Sequence, residues 1–169
     1  MKHILLLLVV FSTIHSIGFS QQNQNSIQSS WDNLKIVFQR RLDIIKQIYM
    51  AVDKSSKDAK LCLEKAKAMS DDLWKYIDTL HADNAVSITR CANKNKLLRA
   101  KLSEAFVILE KNGGHNDNNA LLDLTTQLEG TENRIAVAVQ QYNNTCVKRK
   151  RADLHFDLGN SSPAPAVKF

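Results

Sequence analysis

Proline is almost missing from this chain. Only Pro163 and Pro165 occur, both near the C-terminus. Glycine is scarce as well, five in all, and between residues 26 and 152 only Gly113, Gly114 and Gly130 interrupt the sequence. That scarcity excludes turn-rich β architectures, and no stretch of strict two-residue apolar alternation competes. Aromatic residues make up 7% of the chain, so the core must be mainly aliphatic. There is no Cys-x-x-Cys pair. His-Glu-x-x-His, the Glu-x-x-His of di-metal bundles and a glycine-rich phosphate loop are absent too, so the sequence offers no recognisable catalytic or metal-binding signature. His81, His115 and His155 are scattered over loops and ends. No long hydrophobic run occurs. The solid apolar stretch Ile4–Phe11 is too short for the roughly 20 residues a membrane span needs.

That short run does have a reading. Lys2 precedes it and Gly18-Phe19-Ser20 follows, the layout of a secretory signal with cleavage expected after Ser20. Residues 1–20 are therefore read as the signal, 21–156 as one helical domain and 157–169 as a disordered tail. The rival is an uncleaved anchor reaching Phe19. No cysteine follows the run, so no lipoprotein anchor is expected there. The product is expected to be exported, to the periplasm or cell envelope. The formal net charge is +6. For an exported basic protein nucleic acid is not an expected partner, whereas an anionic membrane surface is. Three cysteines, Cys62, Cys91 and Cys146, are an odd number for an exported chain; all three are read as buried free thiols.

What fills the Pro-free region is a regular apolar spacing. The first seam runs Ile27, Trp31, Leu34, Phe38, Arg41, Ile45, Ile48, Val52, in steps of four and three, with Arg41 its single non-apolar member. A second reads Ala59, Cys62, Ala66, Met69, Leu73, Ile77, Leu80. A third reads Ile88, Cys91, Asn95, Leu98, Leu102, Ala105, Leu109. A fourth reads Leu121, Leu124, Leu128, Thr131, Ile135, Ala138, Tyr142, Thr145. A period near 3.5 is that of long helices packing left-handedly. Polar breaks at 53–56, 81–84 and 111–118 divide four helices at about 25–52, 56–81, 84–111 and 117–152, each about 40–54 Å long. Ser55 and Asp58 form a capping-box-like start for the second. Short connections favour antiparallel neighbours, so the fold class is all-α, an antiparallel up-down four-helix bundle of long helices. In that arrangement Cys62, Cys91 and Cys146 are staggered beyond disulfide reach.

Charge on a seam is costly unless paired. The antiparallel register sets Arg41 at the height of Glu132, with Glu129 one turn away. Three readings stand: a structural Arg41–Glu132 pair, solvation of both, or a ligand role. Lys148-Arg149-Lys150-Arg151 is the densest charge cluster. It reads either as a solvated helix end complementing the C-terminal dipole or as a contact for anionic lipid. Asn143-Asn144-Thr145 and Asn160-Ser161-Ser162 match the glycosylation pattern.

Two segments taken together are more specific. Gln39-Arg40-Arg41-Leu42-Asp43-Ile44-Ile45 lies on the first helix. Leu128-Glu129-Gly130-Thr131-Glu132 with Ile135, then Tyr142-Asn143, lies on the fourth. The pair resembles the signature of the LemA family of bacterial envelope proteins, over roughly Ser26 to Phe156. The resemblance makes Arg40, Arg41, Asp43, Glu129, Glu132, Tyr142 and Asn143 the interaction or ion-pair candidates, and it implies an exported four-helix protein. The pattern departs from the family at Lys46, where a proline is usual, and at Val139, where an arginine is usual. A second Tyr-Asn is replaced by Arg149-Lys150, and the glycine loop replaces a Tyr-Pro-x-Leu. The function expected is non-enzymatic: binding an envelope protein partner or the membrane surface, with no cofactor and no metal. Two alternatives are a carboxylate-based metal-dependent or enzymatic bundle and a eukaryotic secreted helical factor.

Overall fold

A computed structural model describes residues 2–52, 57–111 and 118–159, with side chains described from Ser26. It contains four helices, α1 (Lys2–Ala51), α2 (Lys57–Thr79), α3 (Ala85–Lys111) and α4 (Asn119–Lys148), followed by a short 3-10 turn, Ala152–Leu154. The fold is all-α, and the antiparallel packing of α1 on α4 and of α2 on α3 fits an up-down four-helix bundle. The antiparallel sense is legible in the bonds. Ser30 meets Thr145 at 3.1 Å near one end, and Asn118 reaches the Ala51 carbonyl at 3.2 Å at the other.

Every residue of the first predicted seam is buried, Arg41 included. Leu42 and Ile44 are buried as well. The reason is that α1 packs on two neighbours, α4 and α2, so its apolar stripe must be wider than one seam. The third seam is buried throughout. The second is buried except for half-exposed Met69, while Leu63 and Ser70 join the core. The fourth needs correction. Leu124, Ala138 and Thr145 lie at its edge, and Thr125, Glu132, Val139 and Cys146 take the buried face instead.

The helix ends have local causes. Asn84 Oδ1 accepts from the Ser87 amide at 3.0 Å at the start of α3. Asn118 caps α4 by accepting from the Leu121 amide at 3.0 Å. α4 ends at Lys148, earlier than the predicted 152. Lys150 adopts a left-handed conformation, φ 57°. Its amide donates to the Val147 carbonyl, and the Arg151 amide donates to the Cys146 carbonyl. That is a Schellman stop, with lysine where glycine is usual. The proposed Ser55 cap and the 112–117 loop lie outside the described residues.

One side of the bundle is not closed helix on helix. Among the described residues the Cα atoms of α3 and α4 stay more than 8 Å apart. The segment after α4 fills the gap. Leu154 and Phe156 are fully buried. Phe156 reaches through to α1, its ring 6.2 Å from Trp31 and 5.9 Å from Phe38. Residues 157–159, expected in the disordered tail, are instead placed against α3. Asp157 pairs with Lys96 of α3 at 2.8 Å, and Gly159, φ 73°, lies 3.0–3.6 Å from the Lys96 side chain, measured from where its Cβ would be. Residues 160–169 lie outside the described residues. Among those described, no helix is long and apolar enough to cross a membrane.

Candidate functional site

Three helices bring charge into the core at one level. Arg41 Nη1 of α1 is 3.1 Å from Glu132 Oε1 of α4. Arg99 Nε of α3 is 3.3 Å from the second oxygen, Oε2. The side chains are 1%, 8% and 17% exposed for Arg41, Glu132 and Arg99, so the pair is shielded and the second arginine stands at its mouth. One carboxylate thus serves two guanidinium groups, joining α1, α3 and α4. The Arg41 guanidinium also lies 5.0 Å from the centre of the Phe38 ring, a favourable cation–π position.

Arg41 and Glu132 are paired with each other, and neither is left to solvent. Arg99 was not anticipated. It lies one residue beyond Leu98 on the third seam, and sequence spacing alone makes it a surface residue. Asn95, one turn earlier on α3, is fully buried; neither of its amide atoms, nor Arg41 Nε, finds a hydrogen-bond partner among the described residues. Cys91, another turn back, is pushed up to about 12 by burial, against the opposing pull of Arg41 and Lys94. The thiol stays protonated at any ordinary pH and serves as packing.

The remaining candidates separate. Arg40 is exposed and donates to Gln127 Oε1 at 2.9 Å, a rim contact between α1 and α4. Asp43 is half-buried and accepts from Gln39 at 3.0 Å, so this motif residue is satisfied within its own helix. Glu129 is half-buried. Tyr142 is fully buried edge-on to Trp31, with ring centres 5.5 Å apart. Burial raises its hydroxyl above the usual tyrosine range, with Cys146 alongside.

Asn143 has a definite task. Its Nδ2 donates to the Phe156 carbonyl at 3.0 Å, and its Oδ1 accepts from the Phe156 amide at 2.8 Å. The Tyr-Asn pair thus supports the returning segment: Asn143 grips its backbone, and Tyr142 packs against Trp31, which with Phe38 forms the floor under Phe156. The departures from the family pattern are also absorbed locally. Lys46 pairs with Asp71 at 3.3 Å, and Val139 is buried in the core.

The basic cluster is not uniform. Lys148 and Lys150 are exposed and Arg149 is half-buried. Arg151 binds both oxygens of Asp153 at 3.0 Å and donates to the Asp83 carbonyl at 3.0 Å, tying the end of α4 to the turn between α2 and α3. Of the histidines, His81 and His155 are exposed and His115 lies outside the described residues. Cys62, Cys91 and Cys146 are buried free thiols. Among the described residues no group of three or more His, Cys, Asp or Glu could hold a metal ion.

A pocket of about 220 Å³ opens where the returning segment meets the network, bordered by Arg99, Glu132, Asn133, Ala136, Leu158 and Gly159. No curated protein and no solved structure matches the chain. A model of the LemA family matches residues 30–153, which include Arg41, Glu132 and the Tyr142-Asn143 pair, and the chain belongs to the LemA family.

Proposed function

We propose that this protein is a non-enzymatic component of the cell envelope, exported by the leader read at residues 1–20, and that it works by holding a protein partner. The observation that carries the reading is how the core charges are used. Arg41 and Glu132 are engaged with each other and with Arg99, so the chain's most conspicuous buried chemistry holds three helices in register. Large apolar side chains are meanwhile left on the outside. Ile36 and Val86 are about two-thirds exposed, and Leu97 is nearly so. A scaffold of this kind recognises through its surface. The alternative of an enzymatic bundle would need those carboxylates for chemistry. The eukaryotic alternative would use Asn143 as a glycan acceptor, whereas its amide is occupied by Phe156.

Cell fractionation with photo-crosslinkers at Ile36 and Leu97 tests the proposal. The expected result is protein in the envelope fraction and a discrete crosslinked product from at least one position. Retention in the cytoplasm would defeat it, as would turnover of a substrate lost in Glu132→Gln. A membrane surface is the second reading, supported by Lys148 and Lys150. They are exposed at the end where α4 meets the described start of α1. Each basic residue near an anionic surface contributes about 1 kcal/mol. Co-sedimentation with phosphatidylglycerol vesicles should then weaken in the Lys148→Glu, Lys150→Glu double variant. Equal binding to neutral vesicles would remove electrostatics as the cause.

A further inference from the structure

The segment after α4 behaves chemically as a bound peptide. After the 3-10 turn the backbone is extended at His155, and apolar residues recur every second position: Leu154, Phe156, Leu158. An extended chain points alternate side chains the same way. The 3-10 turn lies against both α3 and α4, Leu154 and Phe156 are buried, with Phe156 reaching Trp31 and Phe38 of α1, and Leu158 borders the pocket beside Glu132. The intervening acid, Asp157, is held by Lys96 on the cleft's rim. The backbone at Phe156 is gripped at both its amide and its carbonyl by the Asn143 side chain, the manner in which a groove holds a peptide through its main chain. No helix takes this place, because α3 and α4 stand too far apart to pack on each other. The hinge is Lys150, a non-glycine residue in the left-handed region, where a side chain is disfavoured.

We infer that the cleft between α3 and α4 is a peptide-binding groove, and that residues 152–159 are its resident occupant, displaceable by a partner segment of the same chemistry. That segment is extended, carries apolar side chains at alternate positions and places an acid between the second and third. This rests on the partner-holding reading above and gives that partner a class. The groove supplies the specificity: an aromatic floor at Trp31 and Phe38 for the central ring, Asn143 for the backbone and Lys96 for the acid.

The test uses the full chain and a synthetic peptide of residues 151–159. In Asp157→Lys the Lys96 anchor becomes repulsive, while the buried contacts stay and the bundle remains folded. In Phe156→Ala the seat on Trp31 is vacated. The wild-type segment competes at the high effective concentration of a tethered ligand. The peptide should therefore bind either variant at least ten-fold more tightly than wild type, and raise the Tm of Phe156→Ala saturably. A peptide with the central phenylalanine replaced by alanine should do neither. Binding that is absent, or equal in all three proteins, would overturn the groove. A wild-type dimer that grows with concentration and is lost in Phe156→Ala would make the occupant a second copy, and would overturn the separate partner. Failure of the peptide alongside successful crosslinking at Ile36 or Leu97 would reject the groove and leave the wider reading intact.

Discussion

Arg41 is the residue on which most of the interior depends. Its side chain is 1% exposed, so its removal would strand Glu132 with one partner in a shielded site. Arg41→Ala is expected to cost about 3 kcal/mol or more in denaturant melts. Arg99→Ala should cost only about 1 kcal/mol, because Arg99 is 17% exposed and the inner pair survives without it. Arg41→Met with Glu132→Leu should recover much of the loss, since both sites accept a long apolar side chain and Arg99 can turn outward. Additive effects of the two single changes would show that the pair is not coupled. Two backbone positions carry opposite expectations. Lys150 sits at φ 57°, so Lys150→Gly should stabilise by about 0.5–1 kcal/mol. Gly130 is inside α4 with nothing within 4 Å of a built Cβ, so Gly130→Ala should stabilise by a similar amount, about 0.5–1 kcal/mol. Thermal melts of each single variant decide both.

At the scale of elements, the helices and the returning segment are held by different forces. α1 and α4 share long apolar faces and the buried pair. The returning segment has two buried side chains, one residue clamped at both its amide and its carbonyl, and two carboxylates at its surface. The Lys96 ammonium and the Gly159 amide hold Asp157 below the ordinary aspartate value of 3.8. Arg151 does the same for Asp153. A carboxylate whose folded value is depressed contributes stability above its unfolded value, and the contribution is lost as pH falls through the folded one. Docking of 152–159 should therefore be complete above about pH 5 and loosen as pH drops below the ordinary aspartate range near 3.8. Hydrogen exchange at the Phe156 amide, donated to Asn143, reports it. Asp153→Asn with Asp157→Asn should flatten the pH dependence. If the double variant kept the wild-type profile, these anchors would not be what acid releases.

For the whole molecule, the core thiols offer a global readout. Cys62, Cys91 and Cys146 come from three different helices and all are buried. Burial raises Cys62, Cys91 and Cys146 alike, which suppresses the reactive thiolate. Labelling should be slow in the native protein and should modify all three sites once denaturant is added. Recovery of a single label per denatured, unreduced chain would reveal a disulfide and contradict the staggered helix alignment. Early labelling of Cys146 alone would instead locate the first opening at the end of α4, where the returning segment leaves the bundle.

Much of this architecture was legible in the one-dimensional pattern. A Pro-poor chain with a 3.5-residue apolar period determines long helices, and short polar breaks determine that neighbours run antiparallel. Arg41 and Glu132 could be matched because each occupies a definite height along an antiparallel pair, and height follows directly from residue count. Rotation about a helix axis does not. Whether Ala138 or Val139 faces inward depends on which neighbours surround α4, and those are α1 and a non-helical segment. Arg99 became part of the network for the same reason: α3 and α4 stand apart, and a long side chain is needed to cross the space. The role of residues 152–159 was hidden because an isolated Leu-x-Phe-x-Leu next to glycine and proline has no periodicity long enough to read. Only the tertiary structure shows the seat, and it is its floor of Trp31 and Phe38, with the Asn143 clamp, that makes a short segment beyond the last helix part of the fold.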